Sequence, residues 1–488
     1  MPRAAAFRWA AHADPSANFS GRFAFGLSSK RTGADNSRLR LECLPGYEVA
    51  SRAGGAGHRY GGSRFALGGD RAVGFFVLGG GVKVTSQSQV SLEDYRPYVG
   101  DETVDRIIAK ADDLKGQRVA HMNSTYHAGG VVEILLSLVG MMNRLGIDTE
   151  WRLLRGTPEF FEVTREMHDA IQGGEIDLTD DKKRIFEQTF RDNAVQNNLD
   201  HDAVYMHDHH TIGMVEHYRK KGPWIWRCHL DLSQPDPRLI DYLRQFGSQY
   251  SAAVYILDEY HRDFGIPNCS FLPAIDPTKV KSQVLGEDVV RERLEAYAIP
   301  MDLPIVSQIS RFDRWKDPHG VVDAFEIAQR DVAATLVLLG NRPADDPEKN
   351  EIYDDLLERQ NDRVLVLDGS DEILVGAVQQ HAAVILQKSL REGFGLTVSE
   401  ALWKGTPVIG GRVGGIPKQI DDGVNGFLVE SVEEAAQRIV ELVGDPDRAA
   451  EMGARGREKV RENFLMSRLL EQHLDLLRGF EPTFTPSL

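Results

Sequence analysis

Two glutamates, Glu392 and Glu400, are separated by seven residues in the segment REGFGLTVSE, with Gly393 and Gly395 between them. The strand-like run AAVIL precedes the pair, and a helical pattern begins near Leu396. The first carboxylate then sits on the loop before a helix and the second one turn inside it. Carboxylates so placed accept hydrogen bonds from different hydroxyl-bearing parts of one nucleotide sugar, with Gly393, Phe394, Gly395 and Leu396 forming the connecting loop and helix start. An exposed helix face and a two-carboxylate hydrolase use the same residue types, so the neighbouring segments decide the reading.

Those segments carry phosphate chemistry. In SRFDRWKDP, Arg311 offers a planar fork of donors and Lys316 a compact point charge, a pair suited to a diphosphate; a solvated surface is the alternative. In HMNSTYHAGGVVEILL, Gly129 and Gly130 fall between a strand and an amphipathic helix, where glycine permits close approach and free helix N–H groups attract an anion. A purely structural turn uses glycine in the same way. The absence of a GxGxxG pattern here weakens a nicotinamide oxidoreductase. A departing diphosphate gathers charge as its bond to a sugar breaks, and cations meeting that charge stabilise the transition state. Such chemistry requires no fixed metal and no prosthetic group; magnesium is expected only as an ion the protein does not hold in a site of its own.

His229 closes the run WIWRCH, from which it reaches a bound sugar; a structural histidine is the alternative. The run YMHDHHT clusters His207, Asp208, His209 and His210. Zinc binding or a His/Asp pair competes there with polar lining of an acceptor cleft, and adjacent residues pointing different ways favour polar lining. Trp224 and Trp226 flank Ile225 in alternation, which places at least one of them in a core.

These residues need rigid elements behind them. RVAHMN reads as a strand, followed by the helix VVEILLSLVGMMNRLG with Val131, Ile134, Leu135 and Leu138 on one face. TEWRLL, DAVYMH, WIWRCH and AAVYIL continue the strands. After FLPAIDP the alternation restarts in PIVSQIS, ATLVLLG, RVLVLD, AAVILQ and TPVIG. The pattern predicts an α/β fold with mainly parallel sheets, and 488 residues exceed one ordinary core. Two Rossmann-like domains are expected, an acceptor domain over 91–290 and a nucleotide-sugar domain over 291–460, with the ligand in the cleft between them. Residues 461–488 hold a helix that either crosses back to the first domain or stays on the second. Residues 1–90 are a Gly-rich extension, partly β or disordered, with strand candidates at Phe65–Leu67 and Val73–Leu78. The acidic run DLTDDKK reads as a solvated helix start.

The formal charge of −16 opposes nonspecific binding to nucleic acid or anionic membranes. Residues 1–90 carry 12 Lys or Arg against 5 Asp or Glu, so the acidity lies entirely downstream. No run approaches the about 20 apolar residues needed to span a bilayer. Three cysteines without ligand spacing fit a reducing cytoplasm better than a disulfide framework. A homodimer is the base-rate expectation.

From about residue 117 to 480 the chain resembles the family-4 retaining glycosyltransferases of GT-B fold, with SRFDRWKD, REGFGLTVSE and GTPVIGGRVGGIP as the principal marks. Glu392 and Glu400 match the ends of that family's E-x7-E motif, Arg311 and Lys316 its donor-diphosphate pair, Gly130 its amino-domain phosphate loop and His229 its sugar-side histidine. HMNSTYHAGGVVEILLSLV, WRLLRGTPEFFEVTREMHDAIQG and ILQKSLREGFGLTVSEALWKGTPVIGG are similar to the trehalose glycosyltransferring synthases within it. The resemblance implies ADP-glucose or UDP-glucose as donor, glucose as acceptor and α,α-trehalose as product, in a reversible reaction. Its competitors are a retaining trehalose phosphorylase, a transferase for another acceptor, and a nonenzymatic nucleotide or sugar sensor. The extension before residue 90 is a departure from the family's compact core.

Overall fold

The computed structural model describes residues 90–126, 129–341 and 350–479 in full, and residues 39–42, 48–51, 73–78, 81–86 and 347–349 as backbone. Phe65–Leu67 and Cys43 lie outside the described residues. Strands β1 (Leu39–Glu42) and β2 (Glu48–Ser51) pair with each other, and β3 (Val73–Leu78) forms an antiparallel hairpin with β4 (Gly81–Ser86).

The first large sheet adds β5 (Arg118–Asn123), β6 (Asp148–Leu153), β7 (Ala203–His207), β8 (Trp224–Arg227), β9 (Ala252–Tyr255) and β10 (Asn268–Ser270). Its order is β10-β9-β8-β7-β5-β6-β4-β3, parallel except where β4 runs against β6 and β3. The run Val73–Leu78 is therefore the edge of the first domain's sheet, through the hairpin, rather than part of a separate extension. The second sheet contains β11 (Ile305–Ile309), β12 (Thr335–Gly340), β13 (Val364–Asp368), β14 (Val384–Gln387), β15 (Val408–Gly411) and β16 (Gly426–Val429). Its order is β13-β12-β11-β14-β15-β16, parallel throughout. Residues of β7, β8, β11, β12 and β14 are buried along their whole length, as strands covered on both faces must be. Both Trp224 and Trp226 are core residues at 1% exposure, two positions apart and therefore on the same face of β8, with Ile225 on the other.

The order in which successive strands are added switches sides at the centre of each sheet, where ligands of open α/β folds bind. In the first sheet β5 lies between β6 and β7, and its carboxyl end leads to Gly129 and Gly130. In the second, β11 lies between β12 and β14; the loop after β11 carries Arg311 and Lys316, and the loop after β14 carries Glu392.

The helix Met466–Leu477 returns to the first domain. Its start is stitched to the interdomain segment by Ile275 N–H to Phe464 O at 2.8 Å and Met466 N–H to Ile275 O at 3.0 Å. Further along, Arg106 on the helix Asp101–Asp112 grips Glu471 with two bonds of 2.8 and 3.1 Å, and Lys110 meets Asp475 at 2.6 Å. Leu469, Leu470 and Leu474 are fully buried beneath these pairs, so apolar burial supplies most of the attachment and the half-exposed ion pairs set its register. No helix among the described residues is long and apolar enough to cross a membrane.

Candidate active site

A cleft of about 970 Å³ opens between the two sheets. It is lined by the residues that the sequence assigned to phosphate, ribose and sugar: Gly129, Gly130, His229, Arg311, Lys316, Glu392, the loop Gly393, Phe394, Gly395 and Leu396, and Glu400.

Two helix amino termini meet across it. The helix Gly130–Arg144 starts after Gly129 (φ +149°), and Leu396–Lys404 starts after Gly395 (φ +81°); neither has a side-chain cap. Their first N–H groups are therefore free for an anion. A Cβ on Gly130 would stand 3.0 Å from Leu396 Cδ1, so glycine lets the two ends close to contact.

The cations arrive from the turn after β11. Asp313 organises it: Oδ1 accepts from Trp315 N–H at 3.1 Å and Lys316 N–H at 3.2 Å, and Oδ2 pairs with Arg311 at 3.2 Å. The Arg311 side chain is 69% exposed, leaving most of its fork open to a ligand. Lys316, 14% exposed, instead forms a close ion pair with Glu392 Oε2. Gln387 Nε2 at 3.4 Å and Ser389 Oγ at 3.3 Å donate to that same oxygen. The second domain thus prepares its lysine and its first glutamate as one unit. The GGRVGGIP region supports the loop beneath them: at Gly414 (φ +54°) a Cβ would fall 1.6 Å from Glu392 O, and Gly415 N–H donates to Gly393 O at 3.1 Å. Across the cleft, a Cβ on Gly393 would lie 3.1 Å from His229 O, which brings the two sugar-side candidates together.

Glu400 is 6% exposed, with Oε1 accepting from Lys281 at 2.6 Å and Oε2 from Gln379 at 3.1 Å. Lys281 also reaches Glu133 Oε2 of the first domain at 2.6 Å. Burial by itself lowers the lysine pKa, but Glu400 and Glu133 outweigh it and hold the ammonium well above its usual value. Lys281 belongs to no recognisable sequence motif, and sequence reasoning missed it. It also missed His168 and Gln172, which line the cleft joined by a 2.7 Å contact between Nε2 atoms. Their i,i+4 spacing on the helix Pro158–Ile171 and its end was the available signal.

His229 lies two residues beyond the end of β8, not on the strand, and is half-buried at the cleft wall. Its backbone N–H donates to Asp208 Oδ1 at 2.7 Å. The YMHDHHT cluster does not line the acceptor side as the sequence suggested: His207 is 2% exposed and His209 0%, with His209 Nε2 against Thr164 O at 2.9 Å. Among the described residues no group of three His, Cys, Asp or Glu is arranged to hold a metal ion.

Asp208 has φ +59° and ψ −177°, a conformation that L residues rarely adopt, which turns the chain sharply after β7. Burial raises its carboxyl pKa from 3.8 to about 7, against the opposing pull of the His229 N–H and Arg227. A carboxyl raised on folding contributes stability that is complete below its unfolded pKa and is lost as pH rises through the folded value. Relative to the parent chain, Asp208→Asn is therefore expected to gain about 1–2 kcal/mol of stability between about pH 4 and pH 8, the full linkage being discounted for the side chain's partial solvent access. Denaturant titrations of both chains at the two pH values measure this; a constant difference would refute it.

The domain family described as "Trehalose synthase, N-terminal domain" matches residues 121–262, and "Glycosyl transferases group 1" matches residues 290–459. The trehalose synthase of Thermococcus litoralis is 40% identical over 399 residues, covering 80% of this chain and 97% of that protein. The chain belongs to the trehalose synthase family of glycosyltransferases. More distantly, a trehalose phosphorylase of Grifola frondosa is 27% identical over 420 residues, 73% of this chain and 56% of that protein. Among solved structures, a UDP-forming α,α-trehalose-phosphate synthase from Burkholderia xenovorans superposes with a TM-score of 0.59 at 14% identity, covering 74% of this chain and 99% of that one; it shares the fold.

Proposed function

We propose that this trehalose synthase family member transfers glucose from ADP-glucose or UDP-glucose to free glucose, forming α,α-trehalose reversibly and with retention. The observation that carries the mechanism is the convergence of two uncapped helix termini, Arg311 and Lys316 on one cleft between two sheets. The nucleotide rests on the second domain, its ribose hydroxyls at Glu400, where each carboxylate oxygen retains acceptor capacity beyond its bonds to Lys281 and Gln379. Arg311 and Lys316 hold the diphosphate from one side and the Gly129–Gly130 turn meets it from the other. Lys316 keeps Glu392 beside the phosphate, so the carboxylate that orients the sugar hydroxyls and the cation that receives the leaving group move together. His229 closes the opposite face of the sugar.

The acceptor hydroxyl then approaches the anomeric carbon on the face the diphosphate leaves. Its proton passes to a departing phosphate oxygen, so no enzyme nucleophile is consumed. Charge building on that oxygen is met by donors already in place, which lowers the barrier instead of merely tightening binding. The protein works in the cytoplasm as a homodimer in this reading, with its buried free thiols Cys228 and Cys269 compatible with a reducing compartment.

The test offers trehalose with ADP, with UDP and with inorganic phosphate, and glucose with each nucleotide sugar, identifying the linkage by NMR. Nucleotide-dependent cleavage and an α,α-linked product are expected. Cleavage by phosphate alone would establish a phosphorylase, and binding without turnover a sensor.

A further inference from the structure

Behind His229 three imidazoles form a hydrogen-bonded row. His229 Nε2 is 2.9 Å from His207 Nδ1, and His207 Nε2 is 3.0 Å from His121 Nδ1. The row runs from the half-buried ring at the cleft into the core, where His207 is 2% exposed and His121 0%. It joins residues of adjacent strands, β5 and β7, to the loop after β8. At the cleft end His229 Nδ1 has no hydrogen-bond partner among the described residues; at the core end His121 Nε2 is buried without one.

The rings are neutral. Burial pushes the pKa of His229 and His207 well down, with Arg227 and the neighbouring imidazoles adding to it, and pushes His121 down to about 3. A neutral imidazole has one N–H and one lone pair, so two consecutive links allow only two polarities. If N–H groups point inward, the row ends on a buried donor at His121 Nε2 with no acceptor. If they point outward, it ends on a bare lone pair instead, the cheaper orphan, and one that suits the positive field of the fully buried Arg227.

Resting on the reading that His229 faces the transferred sugar, we infer that His121 and His207 are positioning residues that lock His229 as the tautomer protonated at Nδ1, so that it offers the cleft an N–H donor. His121 Nδ1–H donates to His207 Nε2, His207 Nδ1–H donates to His229 Nε2, and His229 Nδ1–H is left for a sugar hydroxyl oxygen. No proton moves along the row. Its work is to fix which nitrogen carries hydrogen and to hold the ring plane, as a partner does for a metal-bound histidine.

Histidine-15N labelling of the full chain and long-range 1H–15N NMR report the tautomer directly. The row requires a protonated Nδ1 and a bare Nε2 on His229; the reverse assignment would overturn it. Two variants separate positioning from packing. Asparagine at 207 places an amide nitrogen near the site of Nδ1 and can still donate to His229, whereas glutamine places its nitrogen near Nε2 and cannot. His207→Gln is expected to lose about 10- to 100-fold in turnover and the fixed tautomer, with His207→Asn at least about tenfold more active than it. Equal losses in the two variants would sink the inference. Should His207→Gln fail to fold, the assignment in the parent chain still decides. His229→Ala checks the underlying site: full turnover in that variant overturns the role of His229 at the sugar, while the tautomer measurement continues to judge the row itself.

Discussion

Arg311→Ala is expected to slow transfer by about 30- to 1,000-fold, equivalent to about 2 to 4 kcal/mol of lost transition-state stabilisation, while leaving the fold intact. The side chain is 69% exposed and its one ion pair among the described residues is with Asp313, so little of the protein's stability rests on it. Lys316→Met should slow the reaction by a similar factor for a compound reason. It removes a phosphate donor and also strips Glu392, 11% exposed, of its cationic partner, so the loop that orients the sugar loosens too. The two variants therefore differ in denaturation midpoint though not in the sign of their kinetic effect. Steady-state rates with ADP-glucose and UDP-glucose, beside denaturant titrations, measure both. Normal turnover in both variants would remove the phosphate clamp from the mechanism.

A larger structural effect is expected from Lys281→Met. This ammonium stands between Glu133 of the first domain and Glu400 of the second, at 2.6 Å from each, with a side-chain exposure of 13%. Removing it leaves two carboxylates facing one another in a confined space, and loss of one partner from a buried ionic group costs about 3–5 kcal/mol. The companion variant Lys281→Met with Glu133→Gln should recover part of that loss, because one of the opposed charges is gone. The lysine pKa stands above its free value of 10.5, so this stabilisation is complete at neutral pH and is lost only as pH rises through the raised value. Equilibrium unfolding at neutral pH decides the matter: a change below about 1 kcal/mol would mean that the triad is an ordinary surface pair.

Most of the fold could be read from the chain because parallel strands covered on both faces are written as uninterrupted apolar runs. RVAHMN corresponds to β5 residue for residue, and PIVSQIS, ATLVLLG and RVLVLD contain β11, β12 and β13. Short strands gave a weaker signal. Asn268–Ser270 has three residues, one of them apolar, and passed unnoticed, as did Gly426–Val429 at the far edge of the second sheet. The hairpin Val73–Ser86 was half visible, since its apolar run marks a strand but not the sheet that strand joins.

The site divides along the same line. Local chemistry selected Gly129, Gly130, Arg311, Lys316, Glu392 and Glu400, because glycine turns and charged residues beside strand ends leave a mark within one short segment. What the chain could not reveal is how residues far apart engage one another. Lys316 and Glu392 were assigned to phosphate and sugar separately, and the fold makes them an ion pair. The ribose candidate Glu400 is held by Lys281, 119 positions away. His207 was placed on the acceptor surface and instead lies beneath His229, in a row that begins on another strand. Hydrophobic periodicity is local and survives in one dimension, so the sequence by itself determined the two sheets and the segments that bear the chemistry. Ion pairs and tautomers depend on distances between atoms that the chain does not bring near each other until both domains have closed, and only the tertiary structure decided those.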